Sequence, residues 1–498
     1  MNALLKNMKP NLIHTENGAL AHKTTSSAVL DLFAMGAACR ERTDDDIILM
    51  FKKAFEENEE LAMKCLFYIR DVRGGQGERR FFRTIMRYLA VHHRDAVLRN
   101  IGNFSIYGRW DDLYCLVDTP CEKAAFDLIR SKLQDDLAGK YPVSLLGKWL
   151  KSENASSKET KRLAQKTRIA LDLTPRQYRK MLSELREKIR IVETLMSQNR
   201  WDEIEFDKLP SKAGFQYKDA FWRNKITRDR YMEFLSNQNT KVHSDAMFPY
   251  EIVKSAVDLM QPWWCSKPNI PLDNPRRLAI NKYWDSVKDY FNGSRLNALC
   301  MVDTSGSMFG TPINVAISLG LYCAKKCNGP FKNTYISFSR TPELVEIEGV
   351  DFCDEVYRIA STNICENTNI EAAFDLILDT MKENHLPQSD LPEYIIVISD
   401  MEFDAARGAN VWNGRTVSSQ ETLMEGVRKK YAYYGYEMPK LVYWNVSARQ
   451  NNIPDLGGKD ISFVSGMSPS IFKTIASGQT GYELMIETIC SDRYSPVH

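Results

Sequence analysis

Two apolar runs end abruptly in aspartate: "ALCMVD" at 298–303 and "EYIIVISD" at 393–400. Neither run alternates polar with apolar side chains, so a strand formed from either must be covered on both faces. Helical patterns lie between and after them, in "PINVAISLGLYCAKKC", "NIEAAFDLILDTMKEN" and "QETLMEGVRKKYAYYG". "NTYISFS" and "PELVEIE" read as two short strands close enough to form a hairpin. "KLVYWNVS" and "ISFVSG" read as further strands. Strands alternating with helices predict an α/β domain over residues 291–498, with a mostly parallel sheet. Ligands of such sheets bind at the carboxyl ends of the strands, where Asp303 and Asp400 both stand.

Residues 27–260 follow another period. "DDIILMFKKAFEENEELAMKCLFYIRDV", "RRFFRTIMRYLAVHH", "AAFDLIRSKLQDDLA" and "PRQYRKMLSELREKIRIVETLM" space apolar residues three to four apart, with charges between. That spacing predicts a helical, HEAT-like array of packed helix pairs. Residues 1–26 read as an N-terminal tail. Residues 261–290 read as a connection, extended where Pro262, Pro268, Pro271 and Pro275 crowd together, with Trp263 and Trp264 seeking burial.

The chain of 498 residues carries a net charge of +2, so bulk charge does not mark it as a polyanion binder. No apolar run reaches the length of a membrane span, and the start has no secretory pattern. The 11 cysteines show no paired spacing, which fits a reducing, cytoplasmic setting. Cys323 and Cys327 share a helix face and read as buried small hydrophobes. The seven histidines form no zinc or catalytic pattern.

Asp303-x-Ser305-x-Ser307 has chelating spacing, because alternate residues of an extended loop project to one side. Thr368 precedes a helix in a second loop, which also contains Thr362, and Asp400 opens a third. Two carboxylates and three hydroxyls make a hard oxygen set, suited to Mg²⁺ and less strictly to Mn²⁺ or Ca²⁺. With two formal charges the ion keeps an open position that an acidic group of a protein partner can fill. The simpler alternative has Ser305 or Ser307 capping the helix near Pro312, and Asp400 capping a loop.

This pattern resembles the von Willebrand factor A domain with its metal-ion-dependent adhesion site. The resemblance implies that Ser305, Ser307 and Thr368 coordinate directly and that Asp303 and Asp400 act largely through water. It also implies a binding or scaffold protein rather than an enzyme. The segments "FYIRDVRGGQGERRFFR", "YGRWDDL", "LPSKAGFQYKDAFWR", "FPYEIV", "SDMEFD" and "VYWNVSARQ" extend the likeness. Over residues 25–475 the chain resembles the family of domain of unknown function 2828, a helical region joined to an A-type domain. In layout it is more distantly similar to Ro ribonucleoproteins of the TROVE type, which implies binding of structured RNA.

Charge is uneven along the chain. Residues 151–230 hold 20 Lys or Arg against 12 Asp or Glu, while residues 296–498 hold 16 against 25. A basic helical segment attracts phosphates, or the acidic part of its own chain. Arg73, Arg79, Arg80, Arg83 and Arg87 are the candidate RNA or phosphate ligands, with Arg79, Arg83 and Arg87 on one helix face. Gly74, Gly75 and Gly77 permit a turn that cradles phosphate. The alternative is a tight inter-helix turn with these arginines paired to Asp71, Glu78, Asp111 and Asp112, and Trp110 buried. A metal-dependent hydrolase, with Glu402 and Asp404 beside the metal, is the remaining alternative.

Overall fold

The computed structural model describes residues 11–14, 20–139, 142–240, 242, 247–262, 267–291, 296–337, 342–361, 370–402, 411–412, 415–416, 423–453 and 460–498. Two compact units account for the chain. One comprises residues 66–246 and 492–498, the other residues 1–65 and 247–491.

The first unit is helical. Helix α1 (Arg80–His92) buries Phe81, Phe82, Ile85, Met86 and Leu89 on one face. Phe67 meets Phe82 edge-on at 5.3 Å. Helices α2 (Glu122–Leu137), α3 (Lys158–Ala170) and α4 (Pro175–Lys188) follow. Ser157 caps α3, and Thr174 with Gln177 forms a reciprocal capping box on α4. The glycine-rich turn ahead of α1 is closed on itself. Gln76 N–H donates to Tyr68 O, Gly77 N–H to Asp71 O and Glu78 N–H to Ile69 O. A Cβ on Gly75 would stand 1.9 Å from Tyr68 O, so only glycine fits. These three amides are spent inside the fold, and the expected phosphate cradle does not form from them. Residues 492–498 complete the unit: Arg493 Nη2 donates to Asp71 Oδ1 at 2.7 Å and Tyr494 Oη to Asp71 Oδ2 at 3.0 Å.

The second unit is built on six strands: β1 (Ala298–Val302), β2 (Thr334–Ser337), β3 (Leu344–Glu346), β4 (Tyr394–Ser399), β5 (Lys440–Asn445) and β6 (Ile461–Ser465). Their order is β6-β5-β4-β1-β2-β3, with only β3 antiparallel, paired to β2. This is the α/β sheet expected of residues 291–498, hairpin included. Helix α5 (Pro249–Met260) packs on α6 (Thr311–Lys326) and α7 (Phe352–Ser361). Helix α6 lies so close to β1 that a Cβ on Gly320 would meet Val302 Cγ2 at 2.4 Å. Helix α8 (Ile370–Glu383) buries Ala373, Phe374, Ile377 and Leu378.

The boundaries differ from those expected at residues 27, 260 and 290. The apolar helix Ala28–Met35 belongs with the sheet, where Ser465 Oγ donates to Phe33 O at 2.8 Å. Arg42 Nε donates to Ala448 O at 2.7 Å in the same unit. The proline-rich stretch is not wholly extended either. Pro275 opens the helix Pro275–Asp285, whose first amides are accepted by the Asn274 side chain. Trp263 and Trp264 lie outside the described residues. Among the described residues no helix is long and apolar enough to cross a membrane.

Candidate metal centre

The strand order reverses between β1 and β4, which is the topological switch point of the sheet. Asp303 follows β1 and Asp400 follows β4, so the sheet itself brings the two carboxylates to that crevice. Each is 2% exposed. Asp303 Oδ1 accepts from Ser305 N–H at 2.9 Å, and its Oδ2 accepts from Ser399 Oγ at 2.6 Å. Both contacts fix the orientation of the carboxylate. Burial, and then the charge of Asp400, push Asp303 up to about 6.

Ser305 and Ser307 stand together, their hydroxyl oxygens 3.1 Å apart. Neither caps a helix: the short turn Gly306–Met308 takes no cap bond from Ser305, and α6 begins after Gly310. Asp400 does brace its own loop, since Oδ1 accepts from Glu402 N–H at 3.2 Å. Thr368, with Thr362, lies outside the described residues, as does Asp404. Glu402 is buried and accepts from Asn452 Nδ2 at 2.7 Å.

The donor chemistry fits a hard cation. In an octahedral Mg²⁺ shell with ligands about 2.0–2.1 Å from the ion, neighbouring ligands sit about 3.0 Å apart. The two hydroxyls already hold about that separation. Among the described residues no group of three or more His, Cys, Asp or Glu is gathered for a metal, so a softer zinc-type set is not present there. One cation was not anticipated. Arg449 Nη2 lies 2.5 Å from Asp400 Oδ2. It follows β5, the strand beside β4, so the carboxyl-end rule that singled out Asp303 and Asp400 extends to it.

Arg73, Arg83 and Arg87 of the helical unit are drawn into local contacts. Arg83 Nε donates to Asp112 Oδ1 at 2.7 Å, with Nη2 at 3.0 Å from Asp111 Oδ2. Arg70, 1% exposed, holds Asp112 at 2.7 Å. Arg87 donates to Val117 O and Arg73 to Ile106 O, each at 3.2 Å. Arg79 and Arg80 are exposed. Trp110, expected to be buried, is half-buried; the buried side chains of its segment are Asp111, Asp112 and Leu113.

Residues 15–136 and 143–288 match the family model described as domain of unknown function DUF2828. Residues 297–489 match domain of unknown function DUF7788. Uncharacterized protein L728 of Acanthamoeba polyphaga mimivirus is 30% identical over 515 aligned residues, covering 94% of this chain and 85% of that protein. Among solved structures, the Deinococcus radiodurans RO (RSR) protein aligns with a TM-score of 0.40 and 12% identity, over 94% of this chain and 99% of that one. With over half of its residues matched by the first model, and a relative of this similarity along nearly its whole length, the chain belongs to the DUF2828 family.

Proposed function

We propose that this chain is a non-enzymatic binding protein whose sheet unit takes a hard divalent cation, Mg²⁺ or less strictly Mn²⁺ or Ca²⁺, and engages an acidic group of a protein partner through it. The observation that carries the reading is the Ser305–Ser307 hydroxyl pair, 3.1 Å apart beside two buried aspartates at the switch point. Ser305 and Ser307 are the direct ligands, and Thr368 is the proposed third. Asp303 and Asp400 supply the negative charge. The ion supplies a Lewis-acidic position for the partner's carboxylate. Ser399 and the Ser305 amide keep Asp303 turned to the site. Arg449 neutralises Asp400 in the absence of the ion and competes with it for that carboxylate.

Calorimetric titration with Mg²⁺ and with Mn²⁺ tests the reading. The wild type is expected to bind one ion, and the Ser305→Ala/Ser307→Ala double variant to bind it about 100-fold more weakly. Arg449→Gln is expected to tighten binding by removing the competing charge. If the double variant binds as the wild type does, the reading fails. Phosphoester turnover that disappears in EDTA would put the hydrolase reading in its place.

A further inference from the structure

The helical unit gathers more positive charge in one place than its carboxylates hold. Asp111 takes Arg109 at 2.8 Å, Arg83 at 3.0 Å and Lys151 at 3.5 Å. Asp112, with no exposed side-chain surface, takes Arg70 and Arg83, each at 2.7 Å. Two carboxylates thus serve four cations. Arg79 is a fifth, at the exposed N-terminal end of α1, and its side chain meets no acceptor among the described residues. Partial desolvation, then the Arg109 and Arg83 guanidiniums, push the Arg79 pKa down. Adding the adjacent Glu78 and Arg80 leaves the excess unchanged.

This is not the helix-face stack of Arg79, Arg83 and Arg87 that the sequence spacing suggests. Arg83 is turned toward Asp111 and Asp112, and Arg87 toward Val117 O. Arg109 and Lys151 arrive from other segments. The Arg109 guanidinium lies 3.9 Å from the Trp149 ring centroid, and the Lys151 ammonium 5.3 Å from that of Tyr114. These rings hold the two cations in place while 23% and 25% of their side-chain surface stays accessible. An uncompensated, partly desolvated charge cluster with preset geometry favours an anion.

We infer that Arg79, Arg109 and Lys151 form a site for a phosphate-class oxyanion, with Arg70 and Arg83 locked behind them by Asp111 and Asp112. The oxyanion comes either from a free polyphosphate compound or from a nucleic-acid backbone. None of its residues belongs to the sheet unit.

Full-length protein titrated calorimetrically with inorganic pyrophosphate, and in parallel with a mixed-sequence single-stranded RNA, tests the inference. Arg79→Gln and Lys151→Gln are each expected to weaken binding about tenfold. Arg176→Gln removes the same charge from an exposed position on α4 and is expected to change nothing. Arg79→Gln is expected to melt with the wild type, since its side chain has no acceptor to lose. Binding of pyrophosphate alone identifies a small phosphate compound. Binding of RNA whose log–log salt slope falls by about one in Arg79→Gln identifies a backbone. If neither probe binds, or Arg176→Gln weakens binding as much as Arg79→Gln, the inference is overturned.

Discussion

Replacing Asp112 with alanine is expected to destabilise the helical unit by about 3–5 kcal/mol, the cost of leaving buried charge unpaired. Asp112 accepts from Arg70 Nε at 2.9 Å and Nη2 at 2.7 Å, from Arg83 Nε at 2.7 Å, and from Arg109 N–H at 2.9 Å. Arg70 has no route to water in its place, so removing its carboxylate strands a guanidinium in the interior. Urea unfolding followed by circular dichroism measures the effect. Asp127→Asn breaks an exposed i,i+4 pair with Lys123 and serves as the contrast, expected to stay near wild type. A loss under about 1 kcal/mol for Asp112→Ala would mean that Arg70 finds other partners, and the account of the buried pair would be wrong.

The second large effect depends on pH. Asp303 is held up to about 6 in the folded chain by burial and then by Asp400, against an ordinary value of 3.8. Between those values the native state keeps a proton that the unfolded state has released. Stability in EDTA therefore falls as pH rises through that window and levels off above it. Two pKa units correspond to about 3 kcal/mol. Asp303→Asn retains an acceptor for the Ser305 amide and has no proton to lose. The difference in urea midpoint between Asp303→Asn and wild type is therefore expected to grow from pH 4 to pH 7 without divalent ions. Under the proposed function, added Mg²⁺ shrinks that difference. A difference that stays constant across the series would rule out a raised Asp303.

The sheet was legible because its signal is local. Runs such as "IIVIS" need cover on both faces, and a strand that ends in aspartate places its carboxylate at the carboxyl edge. The pairing of β1 with β4 then makes two such endings one crevice. Arg449 was missed because it lies past a strand end in a segment with no chelating pattern, and only the strand order makes it a neighbour of Asp400. The grouping of the helix Ala28–Met35 with the sheet is a different case. In "AVLDLFAM" the apolar residues show a buried helix, yet nothing local names its partner in the sheet. The helix Asp44–Glu57 packs on it from nearby in sequence, but its partner in the sheet is Ser465 and its strand, 428 residues beyond Ala37. The arginine segment was half legible. Its alternative pairing with Asp111 and Asp112 was readable from "GRWDDL", while Trp149 and Lys151 join the cluster only through tertiary packing.

The two-unit division has a consequence for synthesis. In order of synthesis the helix Ala28–Met35 precedes its strand β6 by some 428 residues. At about 5–20 residues per second, that is a wait of roughly 20–90 s for the strand, while the helix Asp44–Glu57, which also packs on it, follows at once. The sheet unit therefore cannot form in order of synthesis, whereas nearly all of the helical unit is available long before. Any fragment that begins at residue 247 therefore lacks the helix Ala28–Met35, which packs on its own sheet.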